Sequence, residues 1–275
     1  MSQSEKRQGP LAAPGREWER LTPRQRVQRY LLLLGTAVVV GYSIRNVQVV
    51  PEFLYDAPTQ MADLLKRMWP VDFAYYPKGL HSALVDTIHI ASLGTMLCLV
   101  LSLPVGLMVA KNICRSKVLN FIGMFILVSS RSVSVLVWAL LFVAIFGPGP
   151  LAGTITIAIR SIGFTGKLFG EALEEAHPGP IEALKAAGAP RASVFMLGYW
   201  PQVLPAFWAI ALFRWDINIR ESSVIGLVGA GGIGMALDHA LNVFEWGRVA
   251  LVLLCIFVLV ILCEIVVTQI RKRII

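Results

Sequence analysis

Charged residues are scarce in this chain of 275 residues: Asp, Glu, Lys and Arg make up 15% of it, against about 25% in soluble domains. Hydrophobic residues account for 56%. So few charges cannot cover the surface of a water-soluble domain of this length, which excludes an ordinary soluble enzyme. Intrinsic disorder is excluded as well, because the chain has ample apolar surface to bury. The composition indicates a protein whose solvent is a lipid bilayer.

Signatures of metal, disulfide and nucleotide sites are also lacking. The cysteines do not have the spacing of a secreted disulfide framework or of a zinc site, and the four histidines form no H-E-x-x-H pair. Gly166-Lys167 is followed by Leu168, so the chain has no P-loop for phosphate. We therefore expect no metal and no catalytic site here, and any ATP and Mg²⁺ to be bound by another subunit. The cysteines are Cys98, Cys114, Cys255 and Cys263.

The sequence does contain apolar runs near the ~20 residues that a membrane-spanning helix needs. We predict an all-α integral membrane protein with six such helices. The runs cover about residues 30–50, 82–110, 118–146, 151–173, 192–213 and 249–270. A further apolar stretch, 222–241, holds five glycines, so we predict short helices or a re-entrant turn there. Non-helical backbone at membrane depth requires surrounding protein or a water-filled cavity.

The distribution of charge predicts an orientation in the membrane. A net charge of +8 would favour nucleic acid as the partner of a soluble protein, but in a membrane protein basic residues collect in cytoplasmic segments. Basic residues are found in segments 1–29, 111–117, 171–191 and 271–273, whereas residues 51–79 carry balanced charges. We predict a cytoplasmic tail (1–29), a first span (30–50), an outer loop (51–79) and a core (80–275), with both termini in the cytoplasm.

A glycine-rich segment matches the dinucleotide-binding pattern G-x-G-x-x-G. That pattern binds nucleotides only between a strand and a helix, whereas here it lies between apolar runs. We therefore predict close backbone packing and a sharp bend, in or beside a gate. The glycines concerned are Gly229, Gly231, Gly232 and Gly234.

The segment 174–191 has features of a docking surface. Pro180 suits the first turn of a short helix, and Gly188 can adopt the left-handed conformation that ends one. Pro190 can begin a second helix. Small side chains cover the first helix, which an ordinary loop seldom needs: Ala183, Ala186 and Ala187. We predict two short helices joined by a bend, projecting between two spans.

Glu182-Ala183-Leu184, followed by Gly188 and then Pro201, resembles the EAA loop of ABC importer permeases. Residues 214–234, 138–143 and 166–169 are similar to the phosphonate-type permeases of that family, and the resemblance covers about residues 80–275. It implies a type I importer fold in the bacterial inner membrane and a homodimer. It also implies two cytoplasmic ATPase subunits and a periplasmic binding protein. In this family the loop contacts the ATPase, so the resemblance implies that this contact is made by Glu182, Ala183, Leu184, Gly188 and Ala189.

Two departures from that family concern the substrate. Ser134-Val135 stands where the family has proline and an acidic residue after a pair like Arg131-Ser132, and the family's histidine near Arg160 is missing. Both departures lie inside predicted spans. The resemblance therefore implies a permease for a phosphorus oxyanion, with phosphonate and phosphite or hypophosphite as alternatives, and another small solute remains open.

Four arginines could line the path of an anion: Arg131, Arg160, Arg214 and Arg220. A charge within the bilayer is costly, so such residues face a cavity or a partner. Arg214 could instead pair with Asp216, and Arg220 with Glu221. Arg160 has no carboxylate near it in sequence, which favours a role in the path. The planar guanidinium also suits oxyanions, because it donates two parallel hydrogen bonds.

Two other classes of function remain open at this point. An ion-driven secondary transporter could use Asp86, His89 and Glu264 as proton or ion sites. An intramembrane enzyme could use Ser43, in Gly41-Tyr42-Ser43, as its nucleophile, although no histidine is evidently placed to activate it.

Overall fold

The computed structural model describes residues 23–47 and 51–274. Within these residues the secondary structure is helical throughout, with no strand. The helices are α1 Pro23–Asn46, α2 Pro51–Arg67, α3 His81–Val109, α4 Lys117–Ser132, α5 Val135–Phe146, α6 Pro150–Glu174, α7 Pro178–Ala186, α8 Arg191–Ser193, α9 Trp200–Ile225, α10 Ile233–Asn242 and α11 Trp246–Ile274. The chain divides into two compact units, Met1–Ala62 and Asp63–Ile275.

The first unit contains α1, which begins seven residues before the predicted start at residue 30. All its described side chains are exposed, from Arg24 onwards. Residues 1–22 of the predicted tail lie outside the described residues. The predicted outer loop, 51–79, begins with α2, a helix of 17 residues. The charges at its ends favour the helix, because Glu52 in the first turn and Arg67 in the last complement the helix dipole.

The second unit is built around α6, which packs against α3, α4, α5 and α9. Its most extensive interface is with α3, where glycines allow the two backbones to approach each other closely. A Cβ added at Gly94 would lie 2.7 Å from a methyl carbon of Ile157, and one at Gly106 would lie 2.6 Å from the ring of Phe169. Small residues at helix contacts are typical of membrane proteins, in which close packing holds helices together.

The predicted third span, 118–146, is not one helix. It consists of α4 and α5, which meet at 93° across Val133 and Ser134. Four serines surround this break, at positions 129, 130, 132 and 134. Serine hydroxyls can compete with helical hydrogen bonding: Ser132 Oγ donates to the Ser129 carbonyl at 3.0 Å, one turn back at the end of α4. The continuous span expected from hydropathy was wrong for that reason.

Within the described residues, four helical stretches are long and apolar enough to span a membrane, or five if α4 and α5 together form one span. The predicted count of six is therefore not confirmed. The predicted fourth span corresponds to α6, a helix of 25 residues that is not among the four. It carries Arg160 and Lys167, and its many small residues lower its hydropathy. Most of its side chains are buried against other helices, so it has little need of an apolar surface.

The predicted fifth span, 192–213, stops short of the observed helix. A π-helical turn, Val194–Tyr199, leads into α9, which continues to Ile225. Charged residues after Phe213 made the apolar pattern end early. The predicted break in 222–241 is confirmed, because a 3₁₀ turn at Gly226–Val228 and a glycine turn separate α9 from α10.

Candidate functional site

A polar cluster lies at the contact between α6 and α9, in the interior of the second unit. Arg214 of α9 is only 3% exposed. Its Nε donates to Ser161 Oγ at 2.9 Å, and its Nη2 donates to Glu221 Oε2 at 3.0 Å. The guanidinium also lies 5.9 Å from the centre of the Phe164 ring. These contacts hold Arg214 in one position.

Glu221 joins this arginine to a second one. Its other carboxylate oxygen, Oε1, lies 3.7 Å from Arg160 Nη1. The side chains of Arg160 and Glu221 are 26% and 18% exposed, and the buried Nε of Arg160 has no hydrogen-bond partner in the described part of the chain. Two guanidinium groups therefore share one carboxylate, which leaves one positive charge uncompensated.

Neutral polar groups complete the cluster. Ser161 Oγ donates to Asn218 Oδ1 at 3.1 Å, and Asn218 Nδ2 donates to Thr95 Oγ1 of α3 at 2.8 Å. Ser161 and Asn218 are fully buried. A buried amide or hydroxyl without a partner is costly, so this chain of hydrogen bonds stabilises the contact of α3, α6 and α9. We call these six residues the arginine cluster: Thr95, Arg160, Ser161, Arg214, Asn218 and Glu221.

The arginines of α9 do form ion pairs, the alternative to a role in the path, but with other partners than the sequence suggested. Arg214 pairs with Glu221, seven residues later, and Arg220 pairs with Asp216, four residues earlier. Residues one or two apart on a helix point in different directions, whereas residues four and seven apart share a face. Arg160 also has an acidic partner, Glu221. This pair was not predicted, because the two residues are far apart in the sequence.

The four predicted path arginines occupy different surroundings. Arg160 and Arg214 meet at Glu221. Arg131 is exposed at the end of α4, where its side chain lies against Gly163, one turn of α6 beyond Arg160. Arg220 is about half exposed and pairs only with Asp216 in the described residues. Three members of the site were not predicted from the sequence: Glu221, Ser161 and Asn218. The spacing of Arg214, Asn218 and Glu221 at i, i+4 and i+7 would have placed them on one helical face.

The segment 174–191, which we call the coupling loop, forms a helix and a bend as predicted. Helix α7 ends at Ala186, and Gly188 has a φ of +75°. The amide of Gly188 donates to the Lys185 carbonyl, and that of Ala189 to the Leu184 carbonyl, both at 3.0 Å. These hydrogen bonds close the end of the helix, and Pro190 precedes the short α8.

One side of the coupling loop is attached to the rest of the unit. Ile181 is 4% exposed and packs against Gly198, as Leu184 also does. The base of the loop is fixed by Glu174 Oε1, which accepts from the backbone amide of Lys111 at 2.7 Å. Leu184 and Ala189 are half-buried against this core, so they seat the loop, whereas the other predicted contact residues are exposed: Glu182, Ala183 and Gly188.

Beside the coupling loop lies a cleft of about 590 Å³, lined by residues of the α3–α4 connection, the start of α4, the loop itself and the π-helical turn before α9. Three basic residues line it, Arg115, Lys185 and Arg191, and no acidic residue does. None of the three has an ion-pair partner among the described residues. The lining of this cleft is therefore positively charged.

The glycine turn between α9 and α10 is packed closely, as predicted. Gly229, Gly231 and Gly232 have φ values of +85°, +87° and +74°, which favour glycine. A Cβ at Gly231 would lie 2.8 Å from the backbone of Pro150 at the start of α6, and one at Gly234 would lie 2.7 Å from Gly226. The turn is thereby joined to the helix that carries Arg160.

The residues of the alternative functions do not form comparable sites. Asp86 and His89 make no hydrogen bond or ion pair with each other, and Glu264 is exposed without an ionic partner in residues 23–47 and 51–274. Ser43 is exposed on α1. The described residues also contain no group of three or more His, Cys, Asp or Glu that could hold a metal ion.

Residues 102–275 match the family described as "Binding-protein-dependent transport system inner membrane component". The chain belongs to this family. It is therefore a multi-pass permease of the inner membrane, not an enzyme, that works with an ATPase and a substrate-binding protein. The family predicted from the coupling loop is confirmed.

Relatives support the assignment over most of the chain. The phosphite transport system permease protein PtxC of Stutzerimonas stutzeri is 36% identical over 213 residues, covering 78% of this chain and 77% of that protein. The phosphate-import permease protein PhnE of Mycolicibacterium smegmatis is 31% identical and covers 92% of this chain. This chain spans about half of that relative, 47%.

Solved structures confirm the predicted fold class. An amino acid ABC transporter chain superposes with a TM-score of 0.62 at 19% identity, covering 74% of this chain and 99% of that one. The MetNI methionine ABC transporter superposes with a TM-score of 0.59 at 23% identity, covering 69% and 93%. The second unit therefore has the type I importer permease fold.

Proposed function

We propose that this chain is the membrane subunit of an ATP-driven importer that conducts a phosphorus oxyanion, phosphonate or phosphite, into the cell. The observation that carries the proposal is the pair Arg160 and Arg214 on the single carboxylate of Glu221. A site with one uncompensated positive charge favours an anion, and guanidinium groups match the geometry of tetrahedral oxyanions. The relatives named for phosphite and phosphate transport support this substrate class.

Two copies of the chain would form the conduit. Arg131 and Arg220 are exposed in a single chain, although both belong to helices of the membrane domain. Arginines at membrane depth face protein or water in preference to lipid. A homodimer with a central path provides such surroundings, and Arg160 would then meet the anion from both sides. Specificity would come mainly from the periplasmic binding protein, since conduction needs weak and transient binding.

The coupling loop would transmit movement from two ATPase subunits, which bind ATP and Mg²⁺. Its outer side offers Glu182, Ala183 and Gly188 to a partner, while Leu184 and Ala189 hold it to the core. Force on the loop would reach α9, because Gln202 near the start of that helix accepts from the backbone amide of His177 at 2.9 Å. The glycine turn at the other end of α9 would act as the gate.

The basic lining of the cleft beside the coupling loop supports a cytoplasmic position for that loop. Both termini, whose segments are also basic in sequence, would lie on the same side. Native Cys114, which lines the cleft, provides a direct test. A maleimide that cannot cross membranes should label Cys114 in inside-out vesicles and not in right-side-out vesicles. Cys114→Ser serves as the blank. Labelling from the outside would refute this orientation.

The substrate class is tested on the partner binding protein. It should be titrated with phosphonates, phosphite, hypophosphite and phosphate, with D-methionine as the control. Tight binding of at least one phosphorus oxyanion is expected, and saturation by an amino acid alone would refute the proposed substrate.

A further inference from the structure

Glu221 occupies the position in the arginine cluster that a bound oxyanion would need. Its carboxylate is planar, carries one negative charge and turns one oxygen to each of two guanidinium groups. A phosphorus oxyanion reaching Arg160 would present similar oxygens to the same donors. The carboxylate and the substrate would therefore compete for one arginine.

The two contacts of Glu221 are unequal. Oε2 accepts a hydrogen bond from Arg214 Nη2 at 3.0 Å, and Arg214 is almost fully buried. Oε1 lies 3.7 Å from Arg160 Nη1, an ion pair without a hydrogen bond. Arg160 is also the more exposed arginine, and its buried Nε has no partner in the described residues. One end of the carboxylate is thus fixed, and the other is loosely held.

From this asymmetry we infer that Glu221 is an internal counter-anion, which partly balances the charge of Arg160 when the path is empty and which the transported oxyanion displaces from it. Arg214 anchors the carboxylate during the exchange, so that Glu221 returns when the anion has left. The device keeps the path's affinity low, because the substrate has to compete with a charge that is always present. This inference rests on the proposed function and adds a residue that sets how tightly the path holds its substrate.

The test uses the assembled importer, permease with ATPase subunits, purified in detergent without the binding protein. Inorganic phosphite and inorganic phosphate are the probes, and their binding is measured by calorimetric titration. Glu221→Gln keeps the shape and an oxygen that accepts from Arg214, but removes the competing charge. We expect the dissociation constant for phosphite or phosphate to fall by about tenfold or more. The reason is that one charge within a few ångströms of an ionic group shifts its equilibrium by about one to three powers of ten.

Two controls separate competition from a change in structure. Glu171→Gln removes a carboxylate from the exposed pair with Lys167 on α6, so it should leave the affinity unchanged. In an Arg160→Gln background, Glu221→Gln should no longer tighten binding, because the arginine for which the two anions compete is gone. A purely structural role for Glu221 would not depend on Arg160 in this way.

A second variant covers the case in which Glu221→Gln fails to assemble. Glu221→Asp keeps the charge but withdraws it from Arg160 by one methylene, so binding should tighten by a smaller factor. If wild-type importer moves phosphite in vesicles while neither variant binds either probe more tightly, the counter-anion role is overturned and the proposed function stands. If wild-type importer moves no phosphorus oxyanion at all, the proposed function itself fails.

Discussion

The arginine cluster and the coupling loop belong to the same unit, yet they use their residues in opposite ways. The cluster buries Arg214 and binds it internally through Ser161 and Glu221, while Arg160 keeps a positive charge that is only partly balanced. The loop exposes small side chains and leaves them without a partner, with only Ile181 buried in α7. The first arrangement holds helices together around a site, and the second offers a surface to another subunit. Mutations in the buried part of the cluster should therefore lower the stability of the permease, whereas mutations in the loop should weaken its assembly with the ATPase.

The largest effect is expected at the buried end of the cluster. Arg214→Met keeps the approximate volume but leaves Ser161 without its donor and Glu221 with only the distant Arg160. Breaking a buried ion pair costs about 3–5 kcal/mol of unfolding free energy. The variant should show a clearly lower unfolding temperature in detergent and no uptake in vesicles.

Lys167→Met is the matched control for that prediction. Its ammonium group pairs with Glu171 along α6, both side chains are about half exposed, and such pairs contribute about 0–1 kcal/mol. Its unfolding temperature should stay close to that of the wild type. Equal destabilisation by the two substitutions would contradict the idea that burial distinguishes the cluster.

At the coupling loop the loss should be one of assembly. Gly188→Val places a β-branched residue at a φ of +75°, a conformation that costs an ordinary residue about 1–2 kcal/mol. The bend should rearrange, and the ATPase should no longer copurify with the permease, while the unfolding temperature changes little. Gly188→Asn tolerates this φ and should retain more ATPase. Normal copurification with the valine variant would refute the docking role.

Arg160→Gln should affect transport without affecting stability, because it removes a charge that is partly exposed and loosely paired. We expect uptake to fall about tenfold or more, with ATPase binding and unfolding temperature close to those of the wild type. Uptake in vesicles and copurification measure the two effects separately. Unaltered uptake would make Arg160 a structural residue.

The smallest effect is expected outside both regions. Ser43 is exposed on α1, so Ser43→Ala should leave uptake and stability unchanged in the same assays. Complete loss of function in this variant would favour an intramembrane enzyme over a permease.

The sequence predicted the coupling loop better than it predicted the arginine cluster. The loop's structure depends on local rules: a proline at a helix start, a glycine in a left-handed turn and a proline beyond it. The cluster depends on residues far apart in sequence, such as Arg160 and Glu221, which meet only because α6 packs on α9. Hydropathy also misjudged the elements around the cluster. It extended one span across the serine-rich break after Ser132 and stopped another at Arg214, whose charge is paired inside the protein.

The central claim is that this chain is a conduit driven by a separate motor. Vesicles should be prepared with the permease alone and with permease and ATPase together, both supplied with the loaded binding protein, ATP and an ion gradient. The account predicts uptake of a phosphorus oxyanion only when the ATPase is present and ATP can be hydrolysed. Uptake by the permease alone, driven by the ion gradient, would contradict it.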